Sequence, residues 1–132
     1  MTSLLEWAPD IDAWPGSWMG VAEDLEYGRK LLPYMKGFLE DLISQGMARK
    51  TFVRYRNNVW SLGGTIIKQV SWDADYGTDP LKKLMESVEA DGVLPDDFDQ
   101  ISEDDLHSFE RMCRRFEKFL LRVYGVSGVF PA

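Results

Sequence analysis

Residues 102–123, SEDDLHSFERMCRRFEKFLLRV, carry the clearest folding signal in the chain. Leu106, Phe109, Cys113, Phe116, Leu120 and Val123 recur at alternating intervals of three and four, the spacing that aligns side chains on one face of an α-helix. Ser102, followed three residues later by Asp105, makes an arrangement close to a capping box. Glu103, Asp104 and Asp105 stand at the helix start, where the helix dipole favours negative charge. The opposite flank carries Arg111, Arg115, Lys118 and Arg122, also spaced by four and three. One face of this helix is built for burial, and another presents a row of cations.

The same period extends back through the chain. In 23–44, Leu31, Met35, Phe38, Leu39 and Leu42 form one apolar stripe, with Pro33 expected to bend the helix or to open its first turn. Gln45 and Gly46 end that element, since glycine accepts the left-handed conformation that closes a helix. Next comes a basic turn, GMARKTFVRY at 46–55, and a second helix predicted from Lys50 or Thr51 to about Val70. Phe52, Tyr55, Val59, Leu62 and Ile66 are its inward stripe, widened by Val53, Trp60 and Ile67. Gly63 and Gly64 weaken the middle of this helix, so they mark close packing or a bend. Their GGT sequence lacks the remaining glycines and the lysine of a phosphate loop. After the connector SWDADYGTDP at 71–80, Asp79 and Pro80 are a cap and first-position pair for a short helix over 80–90, with Leu81, Leu84, Met85 and Val88 inward.

The predicted fold is therefore all-α, a compact bundle of about four main helices over 23–124, with an N-terminal arm at 1–22 and a tail at 125–132. A chain of 132 residues, 45% hydrophobic, suits one domain with a modest core. The arm lacks a sustained period but contains Trp7, Trp14 and Trp18. Two readings fit: the arm lies across the bundle and completes the core, or it docks a partner through its indoles.

Charge is strongly segregated. Residues 1–27 hold six acids and no base, and 28–70 hold eight bases against two acids. Residues 71–110 hold thirteen acids against two bases, whereas 111–132 hold five bases against one acid. The formal net charge of −7 thus conceals two positive blocks. Neutralisation of acidic blocks within the fold is one reading, and attraction of an anion such as a nucleic-acid backbone is the other.

Catalytic chemistry finds little support. His107 and Cys113, each the single residue of its type, lie six apart on one helix and point in different directions, so they do not pair as base and nucleophile. They also supply too few ligands for a zinc site. Asp73, Asp75 and Asp79 alternate as in a calcium loop, but Gly77 falls one place early and Leu84 stands where glutamate is needed. These aspartates, like Asp96, Asp97 and Asp99, read as solvated loop charges, and no catalytic residue, metal or cofactor is expected. Cys113 reads as a buried thiol. No apolar run approaches the roughly 20 residues needed to span a bilayer, and MTSLLEWAPD has neither a basic start nor a long apolar segment. The expectation is a cytoplasmic protein without a membrane partner.

Binding has a physical case. Arg49, Lys50, Arg54 and Arg56 can contact phosphates of double-stranded DNA from a turn and a helix face, with Arg111, Arg115, Lys118 and Arg122 extending the surface if the two helices pack together. Asn57 carries an amide suited to an adenine edge, as does Asn58, and Gln45 is close enough in sequence to approach a groove. The rival is a protein-binding regulator that uses Trp7, Trp14 or Trp18 together with Asp96, Asp97 and the acidic surface around them.

With these elements in place, residues 34–70 resemble the first part of the N-terminal core-binding, or SAM-like, domain of tyrosine recombinases and phage integrases. In that family a helix ends in a glycine turn, followed by a lysine-threonine helix start and a tyrosine. Here FLEDLISQG, Lys50, Thr51 and Tyr55 occupy those places, followed by an apolar stripe through Leu62. The resemblance covers about a third of the chain and implies a bundle of about four helices clasping one side of a duplex. It also implies phosphate contacts for Arg49, Lys50 and Arg54 or Arg56. The 132 residues leave no room for that family's catalytic domain, and its tyrosine nucleophile has no counterpart here, so the resemblance implies a binding or accessory module that does not cut DNA.

Overall fold

The computed structural model describes residues 3–95 and 100–125. In chain order its elements are α1 (Leu4–Trp7), a 3-10 turn (Ile11–Ala13), α2 (Trp14–Trp18), α3 (Ala22–Ser44), α4 (Arg49–Asp73), α5 (Pro80–Val88) and α6 (Glu103–Val123). The fold is all-α and helix-rich, with six α-helices among the described residues. Asp96 and Asp97, and all of the 125–132 segment except Gly125, lie outside the described residues.

α3 continues through Pro33 as one helix of 23 residues. The proline removes an amide donor, but Pro33 and Arg29 are both exposed, so water can reach the carbonyl that loses its helical partner. Leu31, Met35, Phe38, Leu39 and Leu42 are all buried, and this stripe carries the helix past the interruption. Gly46, at φ 81°, then reverses the chain. Its N–H donates to the Ile43 carbonyl at 3.0 Å, and the N–H of Met47 donates to that of Leu42 at 3.3 Å, the paired bonds of a glycine-closed helix end.

α4 starts at Arg49 behind Ala48, which has no capping side chain, and Thr51 therefore lies in the first turn. Ala74 closes the helix in the left-handed region at φ 51°. Asp79 occupies the N-cap position of α5 beside Pro80, although its side chain makes no capping bond. At α6, Ser102 Oγ accepts from the N–H of Asp105 at 3.1 Å. This half of the predicted box satisfies one of the donors that a helix start leaves open.

The core lies where α3, α4, α5 and α6 converge. Phe38 and Phe116 stack with centroids 4.3 Å apart, while Phe52, Val59, Leu62, Ile66 and Val70 line the inner face of α4. Each such side chain contributes about 1.5–3 kcal/mol by leaving water. Trp60, expected on this inward face, is instead 44% exposed. Its ring lies beside residues 14–18, and Trp60 Nε1 donates to Ser17 Oγ at 3.0 Å.

Residues 4–18 belong to the same core. Ala8, Ile11 and Trp14 are buried, the last at 2% exposure. Trp7 packs on Phe52 with centroids 5.2 Å apart, and its carbonyl accepts from Arg56 Nη1 at 2.9 Å. Trp18 occupies the space left by Gly63 and Gly64: a Cβ on Gly63 would overlap its six-membered ring, and one on Gly64 would stand 3.4 Å from Cδ1. Trp18 Nε1 donates to the Trp60 carbonyl at 3.0 Å, so the indole is satisfied at its polar edge as well as packed. The glycine pair on α4 thus serves a close approach by the N-terminal segment.

At the start of α3, the buried Asp24 carboxylate accepts from the N–H groups of Gly20 and Val21 at 2.9 and 3.1 Å and from the Tyr76 hydroxyl at 2.7 Å. Burial works to raise its pKa, but the bonds from Tyr76, Gly20, Val21 and Ser71 together outweigh it and hold the carboxyl below its ordinary value.

Candidate nucleic-acid interface

α6 crosses the corner where α3 turns into α4. Asn58 Nδ2 donates to Ser108 Oγ at 2.9 Å, and the Arg115 guanidinium stands 5.6 Å from the Tyr55 ring centroid. Arg115 Nη2 also donates to Gln45 Oε1 at 2.7 Å, and Arg122 pairs with Asp41 at 2.8 Å. Moving back along the chain from Asn58 to Asp41 therefore corresponds to moving forward along α6 from Ser108 to Arg122. Gln45 Nε2 closes the network by donating to Asp41 Oδ2 at 2.5 Å. Two cationic segments far apart in sequence meet at this corner.

The nine candidate DNA-contacting residues separate into two groups. Lys50, Arg54, Arg111 and Lys118 are exposed and have no side-chain partner among the described residues. Lys50 and Arg54 are one turn apart on α4, with Arg54 one turn before Asn58. Arg111 lies one turn after Ser108 on α6. The Asn58–Ser108 bond joins the two helices that carry these cations.

The other five are engaged. The Arg49 guanidinium sits 6.0 Å from the Trp7 ring centroid. Arg56, besides its bond to the Trp7 carbonyl, donates from Nε and Nη2 to Asn57 Oδ1 at 3.2 and 3.1 Å. Arg56 thereby fastens the N-terminal segment to α4, and Asn57 orients Arg56. Arg115 bridges to Gln45 and Tyr55. Arg122 pairs with Asp41 and lies 5.7 Å from the Phe119 ring centroid. Gln45 and Asn58 likewise bond within the fold.

The alternative recognition residues are placed differently. Trp14 is buried, while Trp7 and Trp18 are partly buried against the core. Sequence reasoning passed over two residues. Arg114 Nη2 donates to the Val88 carbonyl and ties α6 to α5, although the four-and-three cation spacing skips this position. Trp72 is 89% exposed. Its signal was available, because it falls outside the Phe52–Ile66 stripe.

Cys113 is buried, and burial pushes its thiol up to about 12, far from a thiolate at neutral pH. Among the described residues no group of three or more histidine, cysteine or acidic side chains is arranged to hold a metal, and no helix is long and apolar enough to cross a membrane. No model of a known protein family matches the chain, and comparisons with curated proteins and with solved structures likewise return no match.

Proposed function

We propose that the protein is a non-enzymatic DNA-binding or accessory module that holds duplex phosphates at the corner where α6 crosses the α3–α4 turn. The observation that carries this reading is the meeting of α4 and α6 through Asn58 and Ser108, two helices that also carry the exposed Lys50, Arg54, Arg111 and Lys118. In this reading α3 to α6 are the four-helix body, and residues 1–22 are its aromatic arm.

Lys50, Arg54, Arg111 and Lys118 neutralise phosphates directly. Arg49, Arg115 and Arg122 add to the local field while holding Trp7, Gln45 and Asp41. Arg56 and Asn57 act behind the surface by fixing the N-terminal segment. The resemblance of residues 34–70 to recombinase core-binding domains points to the same turn. Contacts of this kind position a protein on a duplex without reading sequence, and their strength falls steeply with salt.

Fluorescence anisotropy against labelled duplex and single-stranded DNA, at low and physiological salt, tests the reading. Saturable binding that prefers duplex is expected. Replacing Lys50, Arg54 and Lys118 together with alanine should flatten the dependence of log affinity on log salt by about 2–3, since each lost phosphate contact removes about 0.9. Absence of binding at low salt, or an unchanged slope in the triple variant, would overturn it.

A further inference from the structure

Among the described residues, α1 is the one helical element in which no residue is buried, and its Leu5 is 57% exposed. Leu4 and Trp7 line a hollow of about 530 Å³ together with Glu40, Ile43, Gly46 and Met47, so the packing of α1 toward the end of α3 is incomplete. What holds α1 down is α4. The Trp7 ring packs on Phe52, its carbonyl accepts from Arg56 Nη1, and the Arg49 guanidinium stands 6.0 Å from its centroid. From Ala8 onward the chain is anchored, because Ala8, Ile11 and Trp14 are buried. A four-residue helix held by one ring, one hydrogen bond and one cation–π contact belongs to the part of a fold that opens before the body does.

The side chains that hold α1 are two of the candidate phosphate contacts. Arg49 and Arg56 are seven residues apart, two turns of α4, and share one flank of that helix. At about 100° per residue, Lys50 and Arg54 share the other flank, on the far side of the exposed Asn57 and toward Asn58 and α6. The outward ridge of α4 thus has a row of cations on each side, and α1 engages one row. Asn57 on the ridge is occupied as well, since its Oδ1 accepts from Arg56 Nε and Nη2.

We propose that α1 is an autoinhibitory latch on the duplex site, an inference that rests on the DNA-binding reading above. Closed, it keeps Arg49 and Arg56 on Trp7, and α4 offers phosphate only the Lys50 and Arg54 flank. Open, it frees Arg49, Arg56 and the Asn57 amide, so that α4 meets backbone phosphates from both flanks. The Trp7–Phe52 contact favours the closed form and the added phosphate contacts favour the open one. Duplex DNA shifts the balance by its difference in affinity for the two forms, and closure weakens the affinity that is measured.

The test measures the affinity of the whole chain for a fluorescein-labelled duplex, and of two variants that loosen α1. Trp7→Ala removes the hold on Phe52 and Arg49. Ser3→Ala removes the exposed hydroxyl that accepts from the Glu6 N–H at 3.3 Å, and so weakens the start of α1 without touching the core. At low salt, Trp7→Ala should bind at least about fivefold more tightly than the parent and Ser3→Ala at least about twofold, the second carrying the test if the first does not fold. Adding Arg49→Ala to Trp7→Ala should flatten the dependence of log affinity on log salt by about 0.9. Hydrogen exchange at Ala8, whose N–H donates to the Leu4 carbonyl at 2.7 Å, should quicken when unlabelled duplex is added to the parent. Binding by the parent that neither variant strengthens, or exchange at Ala8 that slows or stays the same, would overturn the latch and leave the DNA reading standing. No binding by the parent or by either variant would overturn both.

Discussion

Trp18 and Trp72 border the same groove but serve opposite ends. Trp18 is locked between its bond to the Trp60 carbonyl and the bare backbone of Gly63 and Gly64, and with Trp14 it fastens residues 4–18 to the body. Trp72, twelve residues further along α4 than Trp60, meets no such seat among the described residues and stands 89% exposed. A tryptophan becomes part of a fold where the opposing surface has a gap of its shape and an acceptor for its N–H. Elsewhere its area remains available to something outside the chain.

The contrast breaks most visibly at Trp14. Removing a fully packed indole leaves a cavity, so Trp14→Ala should cost about 3–5 kcal/mol in a urea titration. A folded, equally stable Trp14→Ala protein would place the N-terminal segment outside the core.

Alkaline pH probes the α3 face that meets Tyr76 and Thr78. The Tyr27 phenol donates to the Thr78 carbonyl at 2.9 Å, and burial, then the charges of Asp75, Asp79 and Glu86, push it up to about 12. Cys113 is pushed up to about 12 from 9.0, chiefly by burial. Both groups fold in their neutral forms. Their contribution is complete below their unfolded values and is lost as pH rises toward 12, with Tyr27 accounting for roughly 2–3 kcal/mol between pH 10 and 12. Thermal midpoints measured from pH 8 to 11.5 should therefore fall above about pH 9. Tyr27→Phe should remove the part of that fall set by the phenol.

Gly63→Ala sharpens the contrast at the Trp18 seat. Alanine favours a helix over glycine by about 1 kcal/mol, whereas the added methyl overlaps the indole, and such overpacking costs about 1–3 kcal/mol. Net destabilisation is expected from chemical denaturation, and a stabilised variant would show the seat to be empty. The smallest effect belongs to Trp72→Ala, whose stability should stay within about 0.5 kcal/mol of the parent because so little of the ring is buried.

Much of the helical frame was legible in the residues themselves. The stripes at Leu31–Leu42 and Phe109–Leu120, the glycine turn at Gly46 and the Ser102 cap all rest on interactions within a few positions of each other, which is the range of helical periodicity. Residues 4–18 were less legible, since helices of four and five residues are too short to show a period. The candidate interface was half legible. The cations could be counted, but their partners are distant: Arg56 meets a carbonyl 49 residues away and Arg115 an amide 70 residues away.

The sequence alone decided that the described chain would be helical, which faces of α3, α4 and α6 would turn inward, and that its charge would lie in blocks. Those outcomes follow from local backbone geometry and from the transfer of apolar stripes out of water. Only the tertiary structure decided which cations were engaged by Trp7, Gln45, Tyr55 and Asp41 and which were left exposed on α4 and α6. It also decided that Gly63 and Gly64 would receive Trp18 while Trp72 was left 89% exposed. Such pairings depend on how helices cross, and the crossing is set by the packed core as a whole rather than by any one segment.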